Sequence, residues 1–400
     1  MKPIFTFLLI LFLAFSGYHL TFRRLRLPLY ARTFYVTGSE FLFLGLLLGP
    51  SFLSILDRQA QKDLFFLHPF LLGWIGLLFG FQFELPKLGR FPAGFVGAAV
   101  IEGALSFLLL FVGIHLTVGF VPELQHVVHT GEEMMLAAVG ACTAQTGVAL
   151  MASEQGPKFG KLAQYLRCIS SIGPLAPFIS FGLFLSFENP AVGNITRVGG
   201  FVNNVLILFG SCLGVLLLFL IFLRQPRKEG ELILLLLSTV AAGGGMASAL
   251  GVSPLFFMFL LGVLLVNLLR EKERLYQLLI TVEKPAYVLL LVLLGANWRL
   301  HSLWIPLFAV VYSAYRAMVK TGAAAIATRR IGTEGEGLSA LSGMGLLHQG
   351  GLALAMLLDF QQALPGGQTS RVVSLVLFAV LLNDVIGMFF TERLLKKGST

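Results

Sequence analysis

The side chains that could do chemistry in this 400-residue chain are few, and they interrupt long apolar runs. Glu102, Arg167, Arg316, Lys320 and Asn383-Asp384 each break a stretch rich in Ala, Val, Leu, Ile or Phe. Two other runs combine glycines with uncharged polar groups: Gly140-Ala-Cys-Thr-Ala-Gln-Thr-Gly147 and Gly343-Met-Gly-Leu-Leu-His-Gln-Gly-Gly351. Their polar members are Thr143, Gln145, Thr146, His348 and Gln349. Such groups are costly in hydrocarbon unless they line a protein cavity or find partners. Hydroxyl and amide oxygens can coordinate a small ion, a buried carboxylate can alternate between a proton and a cation, and a histidine titrates near neutral pH. Each feature also has a purely structural reading. Glycines let helices pack closely, Glu102 with Arg316 would make a plain ion pair, and a lone His348 would be a hydrogen-bonding spacer. The sequence holds no nucleophile–base spacing, phosphate loop or metal-ligand cluster, so no catalytic residue, cofactor or metal is expected.

The surroundings of these residues follow from composition. Hydrophobic residues make up 56% of the chain and charged residues 12%, with a mean hydropathy of +0.86. Soluble domains carry about 25% charged residues. A cytosolic enzyme, a secreted domain and a disordered regulator are therefore excluded, leaving an all-α polytopic membrane protein surrounded by lipid. A net charge of +9 would suggest nucleic acid on a soluble chain; here the positive-inside bias accounts for it, and no nucleic-acid partner is expected. Cys142, Cys168 and Cys212 fall in apolar stretches without metal spacing and read as small buried hydrophobes.

Only helices or closed barrels satisfy their backbone in a bilayer, and the long unalternated runs here favour helices. Thirteen spans are expected, near 4–20, 33–55, 65–83, 92–118, 134–153, 160–186, 198–223, 231–250, 253–269, 276–298, 303–328, 337–358 and 372–391. The first could also be read as a signal peptide after Lys2, but no Ala-x-Ala-like site follows it. Arg23, Arg24, Arg26 and Arg32 come next and hold their loop in the cytoplasm, which puts the N-terminus outside. With that orientation the cytoplasmic segments carry 19 Lys and Arg residues and the outer segments 6, so the C-terminus is expected inside. The location is a plasma or bacterial inner membrane, and the compact loops point to the bacterial one.

Three segments recur in the same order. Gly80-Phe-Gln-Phe-Glu-Leu85 resembles Gly295-Ala-Asn-Trp-Arg-Leu300, Gln145-x-Gly147-x-Ala149-Leu150 matches Gln349-x-Gly351-x-Ala353-Leu354, and Gly45 with its neighbours resembles Gly262 with its own. Each pair is seven spans apart, an odd number, so the two halves face opposite ways across the membrane. Inverted repeats and paired Gly-interrupted spans point to a transport site at the repeat interface. Spans 5 and 12 are thus expected to unwind near Thr143–Gly147 and His348–Gly351 and to cross.

The chain resembles the monovalent cation:proton antiporter superfamily, in its thirteen-span branch. The resemblance lies in Gly38-Ser-Glu40 followed by Gly45-Leu-Leu-Leu-Gly49-Pro50-Ser51, in Gly251-Val-Ser253 through Gly262 and Asn267, and in Gly295-Ala-Asn-Trp-Arg-Leu300. It implies a single membrane domain over 1–400 in two parts. A dimerisation scaffold would take spans 1–3 and 8–10 (about 1–83 and 231–298), and a mobile core spans 4–6 and 11–13 (about 92–186 and 303–391). It also implies a homodimer, and small ions (Na⁺ or K⁺, and H⁺) as partners. An acidic pair, or Asn-Asp, on span 6 would bind cation and proton, and a Lys or Arg on span 11 would pair with the carboxylate or support the crossing.

Here the sequence departs from the family. The span 6 pattern aligns onto Ile169-Ser170-Ser171-Ile172-Gly173, so both carboxylates are serines. A serine can coordinate an ion but cannot ionise at working pH. The expected ion site is therefore Thr143, Gln145, Thr146, Ser170, Ser171, His348 and Gln349, lining one cavity. A charge network of Glu102, Arg167, Arg316, Lys320 and Asp384 is expected to support it. Asp359 falls at the edge of span 12. Three functions remain open: alternating-access exchange of Na⁺ or K⁺ against H⁺ by an elevator-like motion, anion transport on the same fold, and a non-transporting sensor or scaffold.

Overall fold

Residues 8, 12, 38–126, 128–144, 160–187, 197–223, 228–299, 304–331, 340–364 and 369–397 are described by the computed structural model. Among them the ordered elements are helices. The principal ones are α1 (Ser39–Leu48), α2 (Leu67–Phe81), α3 (Ala93–Phe120), α4 (Thr130–Ala141), α5 (Gly160–Ile172), α6 (Leu175–Phe187), α7 (Arg197–Leu223), α8 (Glu229–Ala249), α9 (Pro254–Leu268), α10 (Lys272–Ala296), α11 (Trp304–Arg329), α12 (Gly351–Ala363) and α13 (Thr369–Lys397). Expected span 1 lies outside the described residues except for Leu8 and Phe12. Among the described residues six segments are both long and apolar enough to cross a membrane, among them α3, α8 and α10, while α1, α2 and α9 are shorter apolar helices. The α5–α6 segment counts as one such crossing, bent where Gly173-Pro174 interrupts the ladder.

Local sequence sets several of the boundaries. Ser253 caps α9 by accepting from the N–H of Phe256, and Pro254 fills the first helical position. Asp57 caps a short surface helix in the same way. On α7, Val202, Leu206, Phe209, Leu213 and Leu217 form one exposed stripe, each more than half accessible. An apolar face of that length has no soluble counterpart and suits contact with lipid.

Close glycine contacts hold the middle of the bundle. Helix α1 packs on α10 through Gly45 against Gly295, and α2 packs on α9 through Gly80 against Gly262. A Cβ on any of the four would run into the backbone of the facing helix. These are the glycines that the sequence pairs as repeat equivalents, Gly45 with Gly262 and Gly80 with Gly295. Exchanging the two halves turns the first contact into the second, as a two-fold pseudo-axis requires. Helices α3, α4, α5, α11 and α13 gather on one another beside this group, with α12 touching both groups. Between α2 and α3, Glu84 binds Lys87 and Lys272, each at 2.9 Å, which ties that loop to the start of α10.

Candidate functional site

Span 12 is broken. A 3₁₀ segment, Ala340–Leu346, gives way to irregular backbone over 347–350, and α12 starts at Gly351. Gly351, expected at the end of the unwound stretch, is therefore the first helical residue. In span 5, α4 stops at Ala141 and residues 142–144 are non-helical. Gln145 and Thr146, together with the rest of the expected break up to Gly147, lie outside the described residues. The two breaks meet directly. The N–H of Ala144 donates to the His348 carbonyl at 2.9 Å, and the Thr143 hydroxyl donates to the Leu346 carbonyl at 3.2 Å.

An α-helix leaves its last carbonyls without partners, and they form the negative end of its dipole. At the end of α4 three side chains take up this role. Gln349 Nε2 donates to Val139 O at 2.9 Å, Arg316 Nε to Gly140 O at 2.7 Å, Lys320 Nζ to Ala141 O at 2.9 Å, and Arg316 Nη2 to Cys142 O at 2.9 Å. Arg316 Nη1 also reaches Leu347 O at 2.7 Å, so one guanidinium clamps both breaks. The opposite dipole is matched as well. Asp384 accepts from the N–H of Gln349 at 3.2 Å, just ahead of the N-terminus of α12. Asn383 donates to Gln349 Oε1 at 2.8 Å, which fixes the amide between α13 and α4.

Glu102 and Lys320 form an ion pair at 2.6 Å, with both residues fully buried. The Ser106 hydroxyl donates to the same carboxylate oxygen, Oε1, at 2.9 Å. The other oxygen, Oε2, has no hydrogen-bond partner among the described residues. Glu102 reaches this position because Gly103 lies directly on the backbone of Gly173. Glu102 Oε2 would come within 3.1 Å of a Cβ placed on Gly173. The carboxylate therefore sits beside the turn that ends Ile169-Ser170-Ser171-Ile172-Gly173.

One expectation needs correction. Arg167 is exposed and does not join the buried charges. On α5 the accessible positions Gln164, Arg167 and Ser171 recur at helical spacing, so one stripe carries all three away from the core. The same rotation gives Ser170 and Ser171 different burial. Ser170 is buried and its hydroxyl bonds back to the Arg167 carbonyl at 3.2 Å, whereas Ser171 is half-buried. Of Glu102 and Asp384, either of which would pair with a core cation, Glu102 does so with Lys320, while Asp384 accepts the Gln349 N–H. His348 is buried, and neither ring nitrogen has a hydrogen-bond partner among the described residues.

Of the buried acids given no role from the sequence, one joins two helices. Asp359 is 1% exposed and accepts from the Ser253 hydroxyl, which links α12 to the cap of α9. The Gly350-Gly351 break was the available signal. It restarts the helix at Gly351, so Asp359 lies two turns inside α12 and not at a span edge.

A scan against protein-family profiles finds no match, and a search of curated proteins finds none. Among solved structures the chain is similar to the sodium proton antiporter MjNhaP1 from Methanocaldococcus jannaschii. The two align over 99% of each chain with a TM-score of 0.64 and 16% identity. Likeness at that identity establishes a shared fold: this chain is an all-helical polytopic membrane protein with the fold of that antiporter.

Proposed function

We propose that the protein is a secondary transporter that exchanges a monovalent cation, Na⁺ or K⁺, for H⁺. Glu102 acts as the proton and cation carrier in place of a span 6 carboxylate. The observation that carries this reading is the buried Glu102–Lys320 pair, held against the unwound crossing through Ala141. A carboxylate there can hold either a proton or a cation, and Lys320 is the counter-charge that leaves or returns as occupancy changes. Thr143, Gln349 and His348 surround the crossing and supply polar contacts, while Arg316 holds the two breaks together. The α3–α6 and α11–α13 group would move against the α1, α2 and α8–α10 group, the latter forming the homodimer contact. The N-terminus would lie outside a bacterial inner membrane and the C-terminus inside.

The anion reading has less support. Its motive was an excess of core cations, but Arg167 is exposed, and Arg316 and Lys320 are engaged by carbonyls and by Glu102. Among the described residues of the core, buried Glu102, Glu132, Glu133, Asp359 and Asp384 outnumber the two buried Lys and Arg residues, Arg316 and Lys320.

Proteoliposomes loaded with a pH-sensitive dye test the proposal. Adding Na⁺ or K⁺ outside should change the internal pH for the native protein. The response should vanish for E102Q/K320Q, a double substitution that removes both charges and keeps side-chain volume. A cation-driven response that survives in that variant removes Glu102 from the mechanism. A response that follows the anion supplied, or no response to any alkali cation, overturns cation:proton exchange.

A further inference from the structure

Away from the crossing, a cavity of about 370 Å³ opens where the start of α2, the end of α6, the α8–α9 turn and the end of α12 meet. Its polar lining is Ser248, Ser253, Asp359 and Gln362, so it contains one acid and no base. Asp359 is held in place from one side: Ser253 Oγ accepts from the N–H of Phe256 and donates its own proton to Asp359 Oδ2. Gln362 Nε2 reaches Ser248 Oγ at 3.4 Å, while Gln362 Oε1 is buried without a hydrogen-bond partner among the described residues. The cleft lining thus offers one carboxylate, one amide and two serine hydroxyls, oxygen donors of the kind that coordinate a hard cation.

We infer that this cleft is a second binding site, for a monovalent alkali cation, with Asp359 as its anionic ligand and Gln362 Oε1 and Ser248 Oγ as neutral ones. One carboxylate is too little charge for an all-protein divalent site, which gathers several. At roughly 30 Å³ per water the cavity has room for about a dozen waters, so the ion binds partly hydrated. The charge bias of the loops places this mouth on the outer face. The site straddles α9 and α12, and it would capture the cation before the crossing is reached. Binding here does not depend on Glu102 and is measured without transport.

Ala249 lines the cleft and is exposed, whereas all three native cysteines are buried. Cysteine at 249 (A249C) in detergent-purified protein therefore gives a local reporter for a hydrophilic thiol reagent. Sodium chloride should slow its labelling at least threefold relative to choline chloride at equal ionic strength. D359N/A249C should lose that difference. Q362L/A249C should need about tenfold more sodium for the same protection, which provides a reading if D359N fails to fold. E102Q/K320Q/A249C should keep the protection. Equal labelling rates in Na⁺, K⁺, Li⁺ and choline overturn the site, as does protection that survives D359N or is unchanged in Q362L. Protection lost in the E102Q/K320Q background places the ion at Glu102 and also overturns it. Calcium chloride protecting at lower concentration than sodium overturns the monovalent assignment.

Discussion

Replacing one member of the Glu102–Lys320 pair should damage the protein far more than replacing both. At 2.6 Å, and with an effective dielectric constant of about 20, the attraction is about 6 kcal/mol before desolvation is subtracted. Desolvation consumes much of that, so the pair itself adds little net stability. A charge left alone in its place costs about 3–5 kcal/mol. The two single substitutions should not be equal. In E102Q, Lys320 keeps the Ala141 carbonyl at the C-terminal end of α4, where a cation is favoured, so the loss should fall near the low end, about 3 kcal/mol. In K320Q, Glu102 keeps only the Ser106 hydroxyl on Oε1 and nothing on Oε2, which puts the loss near about 5 kcal/mol. E102Q/K320Q should lie within about 1–2 kcal/mol of the native protein, because two neutral amides of similar volume replace two charges. Denaturant titration of the purified protein in detergent, followed by tryptophan fluorescence, gives the four-membered cycle. Single variants within about 1 kcal/mol of native, or a double variant as damaged as the two singles added together, would refute the reasoning.

Two further outcomes follow from the packing and the surface charges. G45A and G80A should each cost about 1–3 kcal/mol, because the new Cβ meets the backbone of Gly295 and of Gly262, whereas G97A, with nothing within 4 Å of the added carbon, should be neutral or mildly stabilising; equal midpoints for all three on thermal unfolding would refute the glycine seams. Burial pushes the Glu84 carboxyl up, and hydrogen bonds and charge from Lys87 and Lys272 outweigh that and hold it below its ordinary value of 4.5. A lowered folded value contributes stability that is present above pH 4.5 and lost as pH falls through the folded value, so native and E84Q midpoints should differ at pH 7 and converge toward pH 3; a difference constant over that range would refute the linkage.

What the sequence disclosed divides by physical cause. The described helices and the break in span 12 were legible because hydropathy and glycine act locally: the backbone of 347–350 unwinds where Gly350-Gly351 follow two polar side chains. The glycine pairs of the repeat were legible as equivalents, but not as contacts, since nothing in the offset says that Gly45 meets Gly295 and not Gly262. Glu102, Arg316, Lys320 and Asp384 were legible as buried charges, because lipid tolerates so few. Their pairing was not. It depends on the rotation of α5, which turns Arg167 out with Gln164 and Ser171, and on the Gly103–Gly173 approach, which brings Glu102 in. Asp359 was passed over because its depth depends on where a broken helix restarts.

The serines of α5 then look different in space than they do along the chain. A carboxylate works through the position of its oxygens, and the helix that carries it is secondary. Gly173, just past the end of α5, offers only backbone, and Glu102 of the neighbouring helix places Oε2 against it. The same carboxylate meets, through Lys320, the carbonyl end of α4, so its charge is coupled to the unwound segment by one shared ammonium. Protonating Glu102 would leave Lys320 with only the Ala141 carbonyl, and a cation placed on Glu102 would repel Lys320 toward that same carbonyl. Either event changes the load on the end of α4, and Arg316 clamps that end to the break in span 12. A carboxylate on α3 is thereby coupled to the crossing, and the two facing glycines, Gly103 and Gly173, are what permit that approach.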